Sequence, residues 1–595
     1  MGYRMSFKKV ILRLRTQKFL GILLLGVYFL GTCSIARAGE ITVREEAAAK
    51  LDRYLTRITP FGFSGALLVA KGGKIILNQG YGMAIRSKDI RNTAETVFST
   101  GSITKQFTAA AIMKLKMEGK LNTSDPIGKI LDGVPEDKSN ITIRHLLTHT
   151  SGLVQDVAGD YDTASRDETV KKILAEPLEF KPGERFAYTN VGYTLLAAII
   201  EKVSGKSYEK YLNEKLFQPA GMVSTGYRLP KWDDKVVAHW YVDDTDNSTP
   251  LEKPYPYWNL IGNGGILSTT KDMYRWYLAL KGDSILSSDA KSELFTPFLN
   301  DYAYGWDVLT AKYGSLIQHN GGSRLGNSAE IRWYVDSNAV TILFCNQSYD
   351  GVPLIDAVRD KIENILFGGE VALPPGVMEF DSAGLQKFQG DYRLQSGGHL
   401  IASEKNKALS VTLQGQDAIN LFIYRERAKL YLHSDINDKS TEIFQSALKG
   451  DYEPFKEVLT DKEKRFDRVR RLIDDRIRDT EKETGSILQV VILGTLPSSF
   501  EEGAVETMVE LRGERGSIFF RLIWRGHENI GVGPAMSAQT ISIPFLPLTL
   551  TDFAGYHLGM AKNLRISFNL TNNGSVAGLT IRTVDENIEA YKIMK

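Results

Sequence analysis

Ser102 and Lys105 stand three residues apart in Phe98-Ser-Thr-Gly-Ser102-Ile-Thr-Lys105-Gln-Phe. At the start of a helix that spacing puts both side chains on one face, about one turn apart. A serine hydroxyl is a weak nucleophile at neutral pH and needs a base beside it. A desolvated lysine can be that base, because burial lowers its pKa. The helix N-terminus adds a favourable field for developing negative charge. The chemistry implied is acyl transfer to a serine. The spacing alone is a weak signal, since Ser-x-x-Lys also occurs at Ser6, Ser207, Ser268, Ser288 and Ser446. Ser102 is set apart by its partners downstream in the chain.

The first partner is Pro182-Gly-Glu-Arg-Phe-Ala-Tyr188-Thr-Asn190-Val-Gly-Tyr. Tyr-x-Asn recurs at Tyr211 and Tyr257, but only here does a Pro-Gly turn precede it and a helix come at once after it. Tyr188 and Asn190 are therefore expected on a loop tip facing a cleft. Tyr188 is suited to shuttle a proton if cationic neighbours lower its pKa. Asn190 is suited to hydrogen-bond Lys105 and a substrate carbonyl. The second partner is Gln318-His319-Asn-Gly321-Gly322-Ser-Arg324. Glycines on a strand let a substrate backbone approach closely, and an N–H there can join that of Ser102 as an oxyanion hole.

These three motifs occur in the order and at the spacing of a known group. The chain resembles the class C β-lactamases, D-alanyl-D-alanine carboxypeptidases, D-aminopeptidases and family VIII esterases over roughly residues 55–365. Leu146-Leu-Thr-His-Thr-Ser-Gly-Leu153, Gly262-Asn-Gly-Gly-Ile-Leu-Ser-Thr-Thr270, Phe217-Gln-Pro-Ala-Gly-Met222 and Asp125-Pro126 add to the likeness. The resemblance implies an α+β (α/β/α) fold: an antiparallel sheet with helices on both faces, a helical lobe, and the site between them. It implies acylation of Ser102, with Lys105 and Tyr188 as the base system and Asn190 and His319 in the catalytic group. Gly321 and Gly322 would contribute to oxyanion and substrate binding, with Ser102 and Gly322 N–H groups as the donors. No metal or other cofactor is implied.

One departure bears on substrate. The third motif reads His-Asn-Gly where a β-lactamase carries Lys-Thr-Gly. An imidazole with an ordinary pKa near 6.5 is mostly neutral at pH 7. Recognition of a substrate carboxylate should weaken unless Arg324 substitutes; otherwise Arg324 is a surface charge. The reading favours a peptidase or an esterase over an efficient β-lactamase. The rival of a different class is a catalytically silent binding or sensor protein that keeps the fold.

The elements that position these residues are legible in the surrounding pattern. Ser64–Ala70 and Lys74–Gln79 read as a hairpin across Gly72-Gly73. Thr104–Glu118, Val191–Val203 and Lys271–Leu280 read as helices, the first two ended by Gly119 and Gly205. Ile331–Val335 and Val340–Phe344 return to β character. Strands at both ends with helices between suit one domain over 40–370. Pro374-Pro-Gly376 marks a boundary. Beyond it, a small barrel-like β-domain is expected at 377–448 and a region of helix plus strands at 449–595. The charged run Asp451–Thr484 reads as a solvated helix face.

The chain has 595 residues, enough for two to four domains at roughly 100–200 each. Residues 1–38 read as an export signal: a basic start, an apolar run from Phe19 to Gly31, then Ala36-Arg-Ala38. The run is shorter than the roughly 20 residues of a spanning helix. The alternatives are an uncleaved signal that associates with the membrane, or lipidation at Cys33, for which Thr32 is a poor neighbour. Residues 1–38 hold seven of the 73 basic residues and none of the 71 acidic ones, so the remainder has 66 against 71, a net of −5. No basic footprint for nucleic acid remains. No nucleotide fingerprint occurs either. The expected partner is a small-molecule or peptide substrate, in a periplasmic or extracellular location; oligomeric state is not legible. Cleavage would leave Cys345 alone, in an apolar strand-like run.

Other signals carry less. His145 and His149 are four apart, but the Glu of His-Glu-x-x-His is missing and Thr150-Ser-Gly152 breaks any helix, so they read as part of a structural turn near the site. His399, His433, His527 and His557 are unpatterned. Trp258, Tyr255, Tyr257 and Tyr274 are either a substrate-facing aromatic wall or ordinary core and loop aromatics.

Overall fold

The computed structural model describes residues 46–593 except 233–235, 243, 350–351, 379–381, 406–407, 423–426, 461, 498–503, 515–516, 536–541, 559–561 and 583–586. The expected export signal, with Cys33, lies outside the described residues. The chain divides into two compact units that part between Val371 and Ala372.

The first unit is built on six strands: β1 (Gly65–Lys71), β2 (Lys74–Tyr81), β3 (Asp307–Ala311), β4 (Gly314–Gly322), β5 (Ser328–Tyr334) and β6 (Ala339–Cys345). They lie in the order β2-β1-β6-β5-β4-β3, with every neighbouring pair antiparallel. The β1–β2 hairpin turns on Gly72 and Gly73, both at positive φ (61° and 78°), as a tight two-residue hairpin requires. β1 and β6 are buried almost throughout, so both sheet faces must be covered. Trp333 and Tyr334 show how. As consecutive strand residues they point to opposite faces. Trp333 packs on Tyr277 of the helix Thr270–Lys281. Tyr334 donates a hydrogen bond to Glu363 of the helix Leu354–Leu366 on the other side.

The helical lobe centres on Thr104–Met117 and Asn190–Ser204. Both are buried over most of their length, polar side chains such as Lys105, Gln106 and Thr108 included. Gly119 and Gly205 take positive φ beyond their ends (70° and 68°), as left-handed C-terminal caps.

The second unit departs from the division expected at 448/449. Its closed eight-stranded barrel joins Gly390–Leu394, His399–Lys405 and Ala408–Gln414 to five strands between Ser542 and Lys592. Between the two sets the chain leaves the barrel for helices, among them Arg427–Ala447 and Lys462–Thr484, and a four-stranded sheet spanning Ile487–Ala535. The strand character expected across 377–448 therefore stops at Gln414. The reason is periodicity: Ile436, Ser440, Ile443, Phe444 and Ala447 recur at helical spacing, and all are buried. The charged run forms the helices Glu453–Val458 and Lys462–Thr484, and the second buries Val469 and Ile473 against this sheet. Among the described residues no helix is long and apolar enough to cross a membrane.

Candidate active site

Ser102 sits in a single 3-10 turn, Gly101–Ile103, that runs directly into the helix Thr104–Met117. Two contacts hold the turn. Thr100 donates to the Ile266 carbonyl from its N–H and its hydroxyl, both at 2.9 Å. Against it lies the end of β4, where a Cβ on Gly321 would stand 2.4 Å from Ser102 N and from Thr100 O. A Cβ on Gly101, at φ +51°, would stand 2.4 Å from Gly322 N. Only glycines allow this approach.

One helical turn on, Lys105 is fully buried. Its Nζ is 3.1 Å from Ser102 Oγ, 2.8 Å from Asn190 Oδ1 and 3.0 Å from the Asn263 carbonyl. Burial brings its pKa down to about 7, opposed by the charges of Asp156 and Asp160. The amine therefore exchanges its proton near neutral pH while already in contact with the serine. Asn263 is held by its own side chain, which donates to Thr194 Oγ1 and the Asn259 carbonyl.

Thr189 caps the helix Asn190–Ser204, its hydroxyl accepting the Gly192 N–H at 3.1 Å. This cap places Tyr188 just outside the helix and Asn190 at its first position. Asn190 bridges two charges, accepting from Lys105 and donating from Nδ2 to Asp156 at 2.9 Å. The Tyr188 hydroxyl lies close enough to Ser102 for the serine to act on its pKa, and its ring lies beneath Lys105 Nζ at 4.7 Å. Burial raises the phenol well above its usual pKa. The expected lowering by cationic neighbours does not occur: desolvation of the phenolate dominates, and the charges of Asp307 and Asp156 raise the pKa further.

His319 is buried and is not on the wall of the cavity at Ser102, yet it is near enough for the charge of Lys105 to act on it. Its Nδ1 donates to the Asn320 carbonyl at 2.5 Å and its Nε2 accepts from Tyr302 Oη at 3.1 Å. Burial, with the charge of Lys105 second, brings its pKa down to about 3. It is a neutral imidazole at any ordinary pH. Arg324 is exposed, and its charge is felt at Asp160.

The cleft at Ser102 is a cavity of about 60 Å³. Asn190, Asn263 and Gly322 line it, together with Tyr161, Trp240 and Asp160, which the sequence reading did not single out. Among the described residues on its wall, Asp160 alone is charged, and burial with the nearby Asp156 raises its pKa. Nothing in their local sequence marks these three, because they arrive on two loops far apart in the chain, Asp160 and Tyr161 on one and Trp240 on the other. Tyr257, Trp258 and Tyr274 are buried core residues. Trp258 and Tyr255 line a different cavity of about 350 Å³, beside Glu201 and Glu209. His145 is a helix cap, its Nδ1 accepting the Thr142 N–H. Among the described residues no group of three or more His, Cys, Asp or Glu side chains is arranged to hold a metal ion.

A buried lysine on a serine, at the junction of an antiparallel sheet and a helical lobe, defines the class. The Beta-lactamase family model matches residues 60–362, and the chain belongs to that family of serine hydrolases. Penicillin-binding protein 4* of Bacillus subtilis (strain 168) is 31% identical over 392 residues, which span 60% of this chain and 86% of that protein. The putative penicillin-binding protein PbpX of the same organism is 32% identical over 319 residues, 53% of this chain and 78% of its own length. Among solved structures, a penicillin binding protein from Bacillus halodurans is 30% identical, covering 49% of this chain and 94% of that one with a TM-score of 0.44. The octameric penicillin-binding protein homologue from Pyrococcus abyssi is 21% identical, covering 93% and 99% with a TM-score of 0.47.

Proposed function

We propose that this protein is an exported serine hydrolase that cleaves an amide, peptide or ester bond through an acyl-Ser102 intermediate. The observation that carries the reading is the 3.1 Å contact between Ser102 Oγ and a lysine whose pKa burial brings to about 7. Neutral Lys105 takes the hydroxyl proton as Oγ attacks the substrate carbonyl. The resulting oxyanion is stabilised by the N–H groups of Ser102 and Gly322. Tyr188 gives its proton to the leaving nitrogen or oxygen as the bond to the acyl carbon breaks and takes in exchange the proton that Lys105 accepted, so it ends the step protonated. Water then attacks the acyl ester, its proton returns through Lys105 and Tyr188, and Ser102 is freed.

The charge of the cleft supports a substrate without a carboxylate close to the scissile bond. The charge on its described wall is that of Asp160, and the imidazole of His319 is uncharged. This disfavours efficient β-lactam turnover. Export rests on the pattern of residues 1–38 alone.

The test is a panel of substrates: a D-Ala-D-Ala peptide, D-amino-acid amides, p-nitrophenyl esters and nitrocefin. Turnover of an ester or amide by wild type, abolished in Ser102→Ala, is the expected result. No turnover of any member by wild type favours a silent binding protein, and equal turnover by Ser102→Ala removes the serine from the mechanism.

A further inference from the structure

His149 belongs to neither the cleft wall nor the proton path, yet it meets the Tyr188 segment at three points. Its carbonyl accepts the Ala187 N–H at 2.8 Å. Its Nδ1 accepts the Thr189 N–H at 3.1 Å. Its ring packs on that of Tyr188 with centroids 4.2 Å apart and an interplanar angle of 33°. The main chain on both sides of the tyrosine is thus tied to one residue, and the tyrosine ring to the same residue.

The local backbone is unusual. His149 has φ +54°, a region that few residues other than glycine enter; Asn, Asp and His are the commonest exceptions. It is fully buried. Because Nδ1 accepts from the backbone, the neutral ring carries its proton on Nε2. That nitrogen has no hydrogen-bond partner among the described residues, where the rings of Phe186, Tyr193 and Tyr302 close around the imidazole. A buried unpaired N–H is costly, and an aromatic side chain without nitrogen would avoid the cost. Nδ1 is the feature such a replacement would lack.

We propose that His149 is the positioning residue for Tyr188, acting through its Nδ1 acceptor and its ring to hold the phenol against Ser102. Protonation of Nδ1 would convert the acceptor into a donor and break the tie to Thr189. Burial and the Lys105 charge keep the imidazole neutral, with a pKa well below its usual value. The kinetic consequence rests on the serine-hydrolase reading; the structural consequence does not.

The experiment compares His149→Asn, His149→Gln and His149→Phe. Asparagine tolerates positive φ and sets its amide oxygen near the position of Nδ1. Glutamine has the same chemistry but sets that oxygen near the position of Nε2. The protein is labelled with 3-fluorotyrosine, and the Tyr188 fluorine resonance is assigned with Tyr188→Phe. His149→Asn is expected to keep the wild-type resonance and to hold kcat on a p-nitrophenyl ester within about tenfold. His149→Gln and His149→Phe are expected to shift the resonance and to lower kcat about 100-fold with KM unchanged, as a misplaced proton donor would. An unmoved resonance in His149→Gln overturns the proposal, and so does a His149→Asn variant that falls as far as His149→Gln. If His149→Phe does not fold, the Asn and Gln pair still decides. If wild type hydrolyses nothing, the hydrolase reading fails while the resonance continues to report on positioning.

Discussion

Lys105 and Ser102 are one helical turn apart, and Nζ meets Oγ at 3.1 Å where the lysine has no contact with solvent. Burial lowers the lysine pKa to about 7, so kcat/KM on an uncharged ester is expected to rise through an apparent pKa near 7 and then level off. His319, at about 3, adds no limb near 6.5, and Tyr188 stays protonated well into the alkaline range. The same lysine shapes stability. From about pH 7 to the unfolded value of 10.5, the unfolded chain binds the extra proton. The cost of burying Lys105 is therefore full below pH 7 and is lost as pH rises to 10.5. A pH series of kcat/KM from 5 to 10 checks the kinetic half, and denaturant midpoints in Lys105→Met against wild type check the other.

Asp160 raises the pKa of Lys105 through its charge and lines the cleft. Asp160→Asn is accordingly expected to move the acid limb to lower pH, since the ammonium loses a favourable neighbour. Comparing an ester bearing an ammonium group with its neutral isostere, the substitution should cost the cationic substrate up to about fivefold in kcat/KM, the scale of an exposed ion pair.

Tyr302→Phe separates structure from chemistry at His319. The variant removes the donor to Nε2 and leaves a buried acceptor unpaired, which should cost about 1–3 kcal/mol of stability. The rate at a temperature where the fold is intact should change little, because the imidazole is buried and carries no charge. Thermal denaturation beside steady-state kinetics makes the comparison.

Gly321→Ala would drive a methyl group into Ser102 N and Thr100 O at 2.4 Å. Both are backbone atoms, so the strand or the nucleophile turn must shift. Acylation should slow by about 100-fold or more, as displacements of about 1 Å do, while circular dichroism stays that of a folded chain.

The parts of the site that could be read from sequence are those carried by short spacings on helices. Three residues separate Ser102 from Lys105, and Tyr188-Thr-Asn190 abuts a helix start, so local geometry alone brings each pair together. His319 resisted the same reasoning. On a strand, His319 and Gly321 share a face, and that face is packed beneath the Ser102 turn, as the Cβ contacts of Gly321 reveal. The imidazole is accordingly buried, with its Nε2 on Tyr302. Asp160, Tyr161 and Trp240 come from loops, whose course depends on the whole lobe. The barrel of the second unit was hidden for a related reason. Its strands are split by an insertion of more than a hundred residues, and strand pattern alone does not say which runs will pair.

The acyl-enzyme can be observed directly. Wild type and Ser102→Ala are treated with a fluorophosphonate, and separately quenched during turnover of an activated ester, then digested and weighed. One added group on the peptide bearing Ser102, absent from Ser102→Ala and slowed in Lys105→Met, is the expected outcome. A label on another residue, or equal labelling of wild type and Ser102→Ala, contradicts the assignment of Ser102 as nucleophile.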